Sequence, residues 1–342
     1  MLDQDFLDEL NKQGTLYLFR VRDLSEGDFQ ELLNQLSQIT RSIRIDTQIA
    51  ENFIEKNPKK LEMIFNSIHN VVMPVTNLTL LNALQNNNTI PHLSLNLNNL
   101  GPEGIRHLAE ALRGNTRLTT LNLDLRHNHL GPEGIRHLAE ALRSNISLTT
   151  LNLNLRLNNL GPEGIRHLAE ALRGNTRLTT LNLNLGLNNL GPEGIRHLAD
   201  ALQSNISLTI LNLNLSTNNL GPEGIRYLAE ALRSNTRLTT LNLDLRLNNL
   251  GPEEMQILAE ALRSNISLTT LNLNLGYNHL GPEGIRHLAD VLRKNTTITH
   301  LNLSGISGGD NSIDIGMEAI INAMENNYSI TDVNIADNNV TQ

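Results

Sequence analysis

Seven copies of a 30-residue unit occupy the middle of this 342-residue chain. The copies begin at Gly101, Gly131, Gly161, Gly191, Gly221, Gly251 and Gly281, and each opens with Gly-Pro-Glu. Six of them continue with glycine, whereas the copy at Gly251 has Glu254 in that place. Self-similarity at this period is typical of an elongated solenoid in which each repeat contacts only its neighbours. We therefore expect one stacked array rather than several compact domains.

The composition restricts the class of protein. The chain has no cysteine, so no disulfide can form, and its formal charge is −8. Its first residues, MLDQDFLDEL, have the features of neither a signal peptide nor a membrane span. Residues 301–342 carry six acids and no lysine or arginine, which is unlike the basic surface of a nucleic-acid binder. We expect a cytoplasmic protein that binds neither nucleic acid nor a membrane.

Each unit combines the pattern of a helix with that of a strand. Apolar residues recur at helical spacing from Ile105 to Leu112, after a Gly-Pro-Glu segment that suits the first turn of a helix. From Leu121 to Leu125, leucines alternate with polar residues, as in a strand with one buried face. Asn115 stands at the end of the predicted helix, where we expect a left-handed cap.

One string in the unit resembles a known repeat family. Leu123-x-Leu125-x-x-Asn128-x-Leu130-Gly131, followed by a helix, resembles the leucine-rich repeat of the ribonuclease-inhibitor type. The resemblance implies an α/β solenoid, or horseshoe, with parallel strands on the concave face and helices on the convex face. Strands pair ~4.8 Å apart and helices pack ~8–10 Å apart, so stacking curves the rod with the strands inside. We expect twelve strands.

The flanks have the pattern of diverged repeats. We predict diverged repeats with a helical cap over residues 1–90, regular repeats over 91–303, and a diverged repeat with a glycine-rich loop over 304–342. A separate helical domain over residues 1–70 is the alternative. The N-terminal pattern comprises helical stretches at Leu2–Lys12, Gly27–Ile39 and Pro58–His69, and strand-like runs at Leu16–Arg22, Ile43–Asp46 and Val71–Val75.

Two series of asparagines recur in the array. A buried amide can pair with backbone groups of adjacent turns, so we interpret the first series as an internal ladder. Its members are Asn128, Asn158, Asn188, Asn218, Asn248 and Asn278. The second series lies on the exposed side of the strands, where either lateral amide stacking or ligand binding would explain it. Its members are Asn122, Asn152, Asn182, Asn212, Asn242, Asn272 and Asn302.

Positions that differ between copies are concentrated directly after the strand. The resemblance places these columns on the concave face, and Arg and Tyr are types enriched at interface hot spots. Neutral drift is the alternative. The predicted partner-binding residues are Arg126, His127, His129, Arg156, Arg246, Tyr277 and His279. A separate alternation, of Arg117, Arg177 and Arg237 with Ser147, Ser207 and Ser267, has a 60-residue period that we attribute to duplication.

The sequence offers no catalytic constellation. Serines, acids and histidines recur with the repeat, so no nucleophile with its own base can be nominated. The helix histidines His107, His137, His167, His197 and His287 are predicted to form a solvated row, because we expect no carboxylate partner to recur beside them. We predict no enzymatic activity, no metal and no cofactor.

The predicted function is a protein-interaction scaffold that binds a partner protein on the concave face and is a monomer. The lack of cysteine and tryptophan, with near-identical asparagine-rich repeats, resembles the effectors that intracellular bacterial pathogens deliver into the host cytosol. The alternative is a regulator of a small GTPase, since the Ran GTPase-activating protein has this repeat type and an acidic C-terminal region. A structural spacer without a dedicated site is a third reading.

Overall fold

The computed structural model describes residues 10, 15–17, 21, 24–38, 43–46, 58–67, 70–75, 81, 84–85, 87–97, 100–305, 314–325 and 327–336. Within these residues the strands are β1 (Thr15–Tyr17), β2 (Ile43–Asp46), β3 (Asn70–Val75), β4 (His92–Leu97), β5 (Thr120–Asp124), β6 (Thr150–Asn154), β7 (Thr180–Asn184), β8 (Ile210–Asn214), β9 (Thr240–Asp244), β10 (Thr270–Asn274), β11 (His300–Asn302) and β12 (Asp332–Asn334). The helices are α1 (Glu26–Gln38), α2 (Pro58–Ser67), α3 (Gly101–Gly114), α4 (Gly131–Ser144), α5 (Gly161–Gly174), α6 (Gly191–Ser204), α7 (Gly221–Ser234), α8 (Pro252–Ser264), α9 (Gly281–Lys294) and α10 (Asp314–Glu325).

The twelve strands form one sheet in chain order, from β1 to β12. Each pairs in parallel with the next, and within the array the register joins equivalent residues, as Leu121 with Leu151 and Asn122 with Asn152. Because equivalent residues pair, every position of the repeat forms a straight column across the sheet. The chain is an α/β solenoid with its strands on the concave face and its helices on the convex face, as predicted.

A continuous apolar core lies between the sheet and the helices. In each repeat, strand leucines such as Leu121 and Leu123 are buried against Ile105, Leu108 and Leu112 of the helix or their equivalents. Full burial of one such side chain is worth about 1.5–3 kcal/mol, so the leucine pattern accounts for the fold. The array helices α3 to α9 begin with proline in the first turn and a glutamate that suits the positive end of the helix dipole.

One helix of the array begins differently. In six copies the fourth residue is a glycine that packs against the leucine four residues before it. A Cβ at Gly164, for example, would lie 3.1 Å from the Cβ of Leu160. Glu254 replaces this glycine, and α8 begins at Pro252 rather than at the glycine before it. Gly251 has φ −108°, whereas Gly221 has φ +58°. The Glu254 Oε2 accepts the Gly251 N–H at 2.8 Å, which caps the shortened helix.

The prediction of a left-handed cap at Asn115 was wrong. Asn115 has φ −99° and ψ 82°, and its backbone N–H donates to the Leu112 oxygen. Its side-chain amide instead donates to the Ile90 carbonyl of the preceding repeat at 3.0 Å. The Asn115 side chain thus bonds to a neighbouring repeat, and no left-handed turn forms at this helix end.

The described parts of the flanks continue the same sheet. Four predicted segments correspond to α1, α2, β2 and β3, and β1 pairs with β2 in parallel. The predicted initial helix lies outside the described residues except at Leu10, and most of the glycine-rich loop lies outside them too. The division of the chain at residues 90 and 303 stays a prediction.

Candidate functional site

The sheet face opposite the helices forms a groove of about 800 Å³ that crosses eight adjacent strands, β4 to β11. Two polar columns line it, because residues two apart on a strand share a face. The first column runs from Ser94 through Asn122 to Asn302, and the second from Asn96 through Asp124 to Ser304. We call this surface the concave groove.

The first column is an amide ladder. The side-chain nitrogen of Asn152 donates to the side-chain oxygen of Asn122, and the same bond repeats in each following strand as far as Asn272. Asparagine is a poor strand former, and these lateral bonds explain why it is present here. The first column of the concave groove is therefore uncharged and rich in hydrogen-bonding groups.

Two carboxylates in the second column are paired with arginines of the predicted site. The Arg126 guanidinium donates to Asp124 at 2.6 Å and 3.0 Å, and Arg246 pairs with Asp244 in the same way. The hydrogen bond from each arginine to its aspartate raises the pKa of that arginine above its usual range. Both arginines thus lie beside the groove with much of their charge balanced.

Arg156 differs from these two arginines. It follows Asn154, an amide, and its backbone N–H donates to the Asn154 side chain at 3.3 Å. No carboxylate among the described residues forms an ion pair with its guanidinium. Its carbonyl oxygen accepts the backbone N–H of His127 at 3.0 Å, so Arg156 and the Arg126–His127 segment are neighbours.

The other predicted site residues lie in the turn between strand and helix. His127, His129, Tyr277 and His279 are exposed there and do not line the concave groove. His127, His129 and Tyr277 have φ between 51° and 58°, the left-handed region. Leu157, Leu187, Thr217 and Leu247 share this conformation, so the turn itself requires it and holds a strained backbone at each copy from residue 127 to residue 277.

The first asparagine series is the predicted internal ladder. Asn158 is fully buried, and its side-chain oxygen accepts the backbone N–H groups of Asn128 and Leu130. Its side-chain nitrogen donates to the carbonyls of Leu125 and Leu155. Each amide therefore satisfies backbone groups of two repeats, which agrees with the interpretation from sequence.

A third asparagine series, at the helix ends, forms a ladder that the sequence interpretation did not include. Asn145 donates to the Leu112 carbonyl of the preceding repeat at 3.1 Å and to Ala141 of its own helix at 3.0 Å. The constant asparagine at this position is the signal that the sequence carries. Equivalent residues at Asn115, Asn175, Asn205, Asn235 and Asn265 are also buried.

The convex face carries a network of charges. Arg106 pairs with Glu103 and with Glu110 at 2.6 Å, and Arg113 pairs with Glu140 of the next helix. The Arg106 hydrogen bond lowers the pKa of Glu103. Such exposed pairs each contribute little to stability, because water and salt screen the two charges.

Carboxylates do recur beside the helix histidines, contrary to the expectation from sequence. His197 Nε2 lies 3.3 Å from Glu193, and His137 lies 3.6 Å from Glu133. The two residues are four apart on a helix, so they share one face. Even so, no group of three or more histidine, aspartate or glutamate side chains placed to hold a metal ion occurs in the described part of the chain.

None of the helices in the described ranges is both long enough and apolar enough to cross a membrane.

Comparison with known proteins identifies the repeat. A family model described as "Leucine Rich repeat" matches residues 86–109, 115–139, 144–169, 175–199, 204–229 and 264–289. The interval between the last two segments contains the atypical helix with Glu254. No curated protein matches the sequence. A similar solved structure is that of the leucine-rich repeat-containing protein LegL7 from Legionella pneumophila, with 21% identity, 90% of this chain and 97% of that chain covered, and a TM-score of 0.46.

Proposed function

Because this chain is a leucine-rich-repeat protein, with repeats of a kind that suggests an interaction scaffold, we propose that it binds a partner protein on its concave face. The observation that carries this proposal is the concave groove, which is about 800 Å³ in volume and extends across eight strands. A groove of this length suits a surface or segment of another macromolecule better than a single small ligand.

The chemistry of the groove favours a polar partner with at least one acidic group. Its first column consists, after Ser94, of amides that can donate to and accept from a partner backbone or side chains. Of the three arginines beside it, Arg126 and Arg246 already have a carboxylate partner. Arg156 is free to pair with a carboxylate of the bound protein, and such a charge-assisted bond in a desolvated interface is worth more than a neutral one.

Two clusters of predicted residues would hold the partner at separate points. Arg126, His127, His129 and Arg156 form the first, around β5 and β6. Tyr277 and His279 form the second after β10, with Arg246 between the clusters. Parallel strands ~4.8 Å apart put roughly 20 Å between Arg156 and Tyr277 along the sheet. One globular partner seated on the groove would span that distance.

The experiment is affinity capture from a eukaryotic lysate, comparing the wild-type chain with an Arg156→Ser, Tyr277→Leu variant. Ser216 and Leu157 already occupy the equivalent positions, so both changes suit the fold. We expect a protein captured by the wild type to be lost with the variant. The control is Arg106→Gln with Arg136→Gln on the convex face, where Gln256 already occupies the equivalent position. Loss with the control alone would contradict the proposal.

A finer proposal is that the chain is a secreted effector that acts on a host protein in the host cytosol. It is supported by the near-identical repeats, the many asparagines and the absence of cysteine and tryptophan. In this proposal the chain is a monomer without catalytic activity. Fusion to a cytosolic enzymatic reporter in an intracellular pathogen tests delivery, and a reporter signal absent from infected host cells would count against it.

The alternative is a regulator of a small GTPase, which rests on the resemblance to the Ran GTPase-activating protein. The two proposals differ in the rate of GTP hydrolysis that they predict for the bound GTPase. Adding the purified chain to a captured GTPase would accelerate single-turnover GTP hydrolysis if the chain is a regulator. A passive scaffold would leave the rate unchanged.

A further inference from the structure

The four most exposed large apolar side chains in the described part of the chain are Ile146, Ile206, Ile266 and Tyr328. Their exposed fractions are 63%, 65%, 75% and 96%, respectively. Single exposed apolar residues are ordinary on a protein surface. These four are unusual because they occupy one position of the repeat, directly after the buried asparagine that ends the helix.

The four residues lie along a single edge of the solenoid. They follow α4, α6, α8 and α10, so every second repeat presents one of them. The strands pair in register, which places the helix-to-strand turns side by side. This edge is opposite the one that carries His127 and Tyr277, because strands run from one edge to the other. We call it the helix-to-strand edge.

The intervening turns carry cations. Arg117, Arg177 and Arg237 follow α3, α5 and α7, each after a threonine in the position that holds isoleucine in the alternate repeats. The turns from residues 114–119 to residues 294–299 contain these arginines and Lys294, and no acidic residue. From α3 to α8 the helix-to-strand edge therefore alternates apolar and cationic tips, whereas the turn at Tyr328 lies between Glu325 and Asp332.

Duplication of a 60-residue unit explains only part of this pattern. It accounts for the three isoleucines and three arginines, which lie in near-identical copies. It does not account for Tyr328, since the repeat around α10 has diverged in sequence and still presents a large apolar side chain in the same phase. The retained alternation indicates a surface on which these side chains have a use.

We propose that the helix-to-strand edge docks peripherally on an anionic lipid membrane. Apolar tips that are separated from one another can each enter a fluid lipid interface without a matching pocket. A protein partner would need pockets repeated at the same two-repeat interval. The intervening arginines attract anionic headgroups, and tyrosine favours the interfacial region. This contact goes beyond partner binding in the concave groove, and it differs from the expectation from sequence that the chain has no membrane partner.

The test is cosedimentation of the full chain with phosphatidylcholine vesicles, with and without phosphatidylserine. The chain supplies matched variants, because Thr116 occupies the position equivalent to Ile146, and Ser147 occupies the position equivalent to Arg117. We expect the wild type to partition onto the phosphatidylserine vesicles. The triple variant Ile146→Thr, Ile206→Thr, Ile266→Thr should lower the partition coefficient at least about tenfold. The triple variant Arg117→Ser, Arg177→Ser, Arg237→Ser should remove the preference for phosphatidylserine.

A control and a gain-of-binding variant sharpen the result. Leu247→Thr on the opposite edge, where Thr217 already occupies the equivalent position, should leave vesicle binding unchanged, and Thr176→Ile should strengthen it. Circular dichroism verifies that each variant is folded. Absence of wild-type binding to either vesicle, or equal binding by the isoleucine variant, would overturn the proposal. A third result would also overturn it: the wild type self-associates and does not bind vesicles, and the isoleucine variant no longer self-associates. That result would identify a second copy of the chain as the occupant.

Discussion

The backbone N–H of Asn158 donates to the side-chain oxygen of Asn188, 3.0 Å away in the next repeat. The same bond links each member of the internal ladder to the next, from Asn128 to Asn278. The side chain of Asn188 also donates to the Leu155 and Leu185 carbonyls, both at 2.9 Å. One amide thus joins two repeats at a fully buried point.

We predict that Asn188→Ala strongly destabilises the fold. The substitution leaves buried backbone groups of two repeats without partners, at a cost of about 1–3 kcal/mol for each group. Asn182→Ala, in the half-buried amide ladder of the concave groove, should cost less than about 1 kcal/mol because water can replace its bonds. Urea denaturation measures both. Similar losses for the two variants would show that the internal ladder is no more important for stability than the ladder of the concave groove.

Glu254 provides a second test, because it compensates for a glycine that is missing. Glu254→Ala should lose the bond to the Gly251 N–H and destabilise the chain by about 0.5–2 kcal/mol. Glu254→Gly should cost less, since Gly251 could then adopt the positive φ of the other repeat openings. Thermal melting of the two variants distinguishes them. A larger loss for Glu254→Gly than for Glu254→Ala would contradict this account of the helix start.

The repeat pattern predicted most of the fold, for a physical reason. Within the array, leucines at period two in the strands and apolar residues at helical spacing are buried, so Leu121 and Leu108 lie as expected. The prediction for Asn115 was wrong because the carbonyl that its side chain binds belongs to another repeat. That long-range partner, at Ile90, replaces the local left-handed turn that a helix-end asparagine usually indicates.

The candidate site was less predictable than the fold. The pairing of Asp124 with Arg126 follows from two residues sharing a strand face, a signal that the sequence carries. The exposure of Ile146 does not follow from its type, since isoleucine is more often buried. It depends on the turn, which points the residue after the helix-end asparagine into solvent. The seven predicted partner-binding residues stay predictions.

The titration of His167 gives a prediction for pH. Partial burial, with Arg166 as the next cause, lowers the pKa of His167 below its ordinary value of 6.5. The unfolded chain therefore binds more protons than the native one as pH falls through that value. The associated stability is present above pH 6.5 and is lost as pH falls towards the native pKa.

NMR titration of the His167 ring should give a midpoint below 6.5. His167→Tyr, which matches Tyr227 two repeats later, should reduce the fall in urea midpoint between neutral and mildly acidic pH. Arg136, Glu140, Arg143 and Glu170 surround this ring, so their charges should be kept unchanged in the variant. A His167 midpoint above 6.5 would contradict the assigned effect of burial.

The central claim, that the concave face holds a partner protein, is tested most directly by hydrogen–deuterium exchange of the chain with and without its captured partner. We predict slower exchange in the strand-to-helix turns at residues 125–130, 155–160 and 275–280, and unchanged exchange in α3 to α9. Protection confined to the helices, or to the helix-to-strand turns at residues 144–149, 204–209 and 264–269, would show that the partner binds another face.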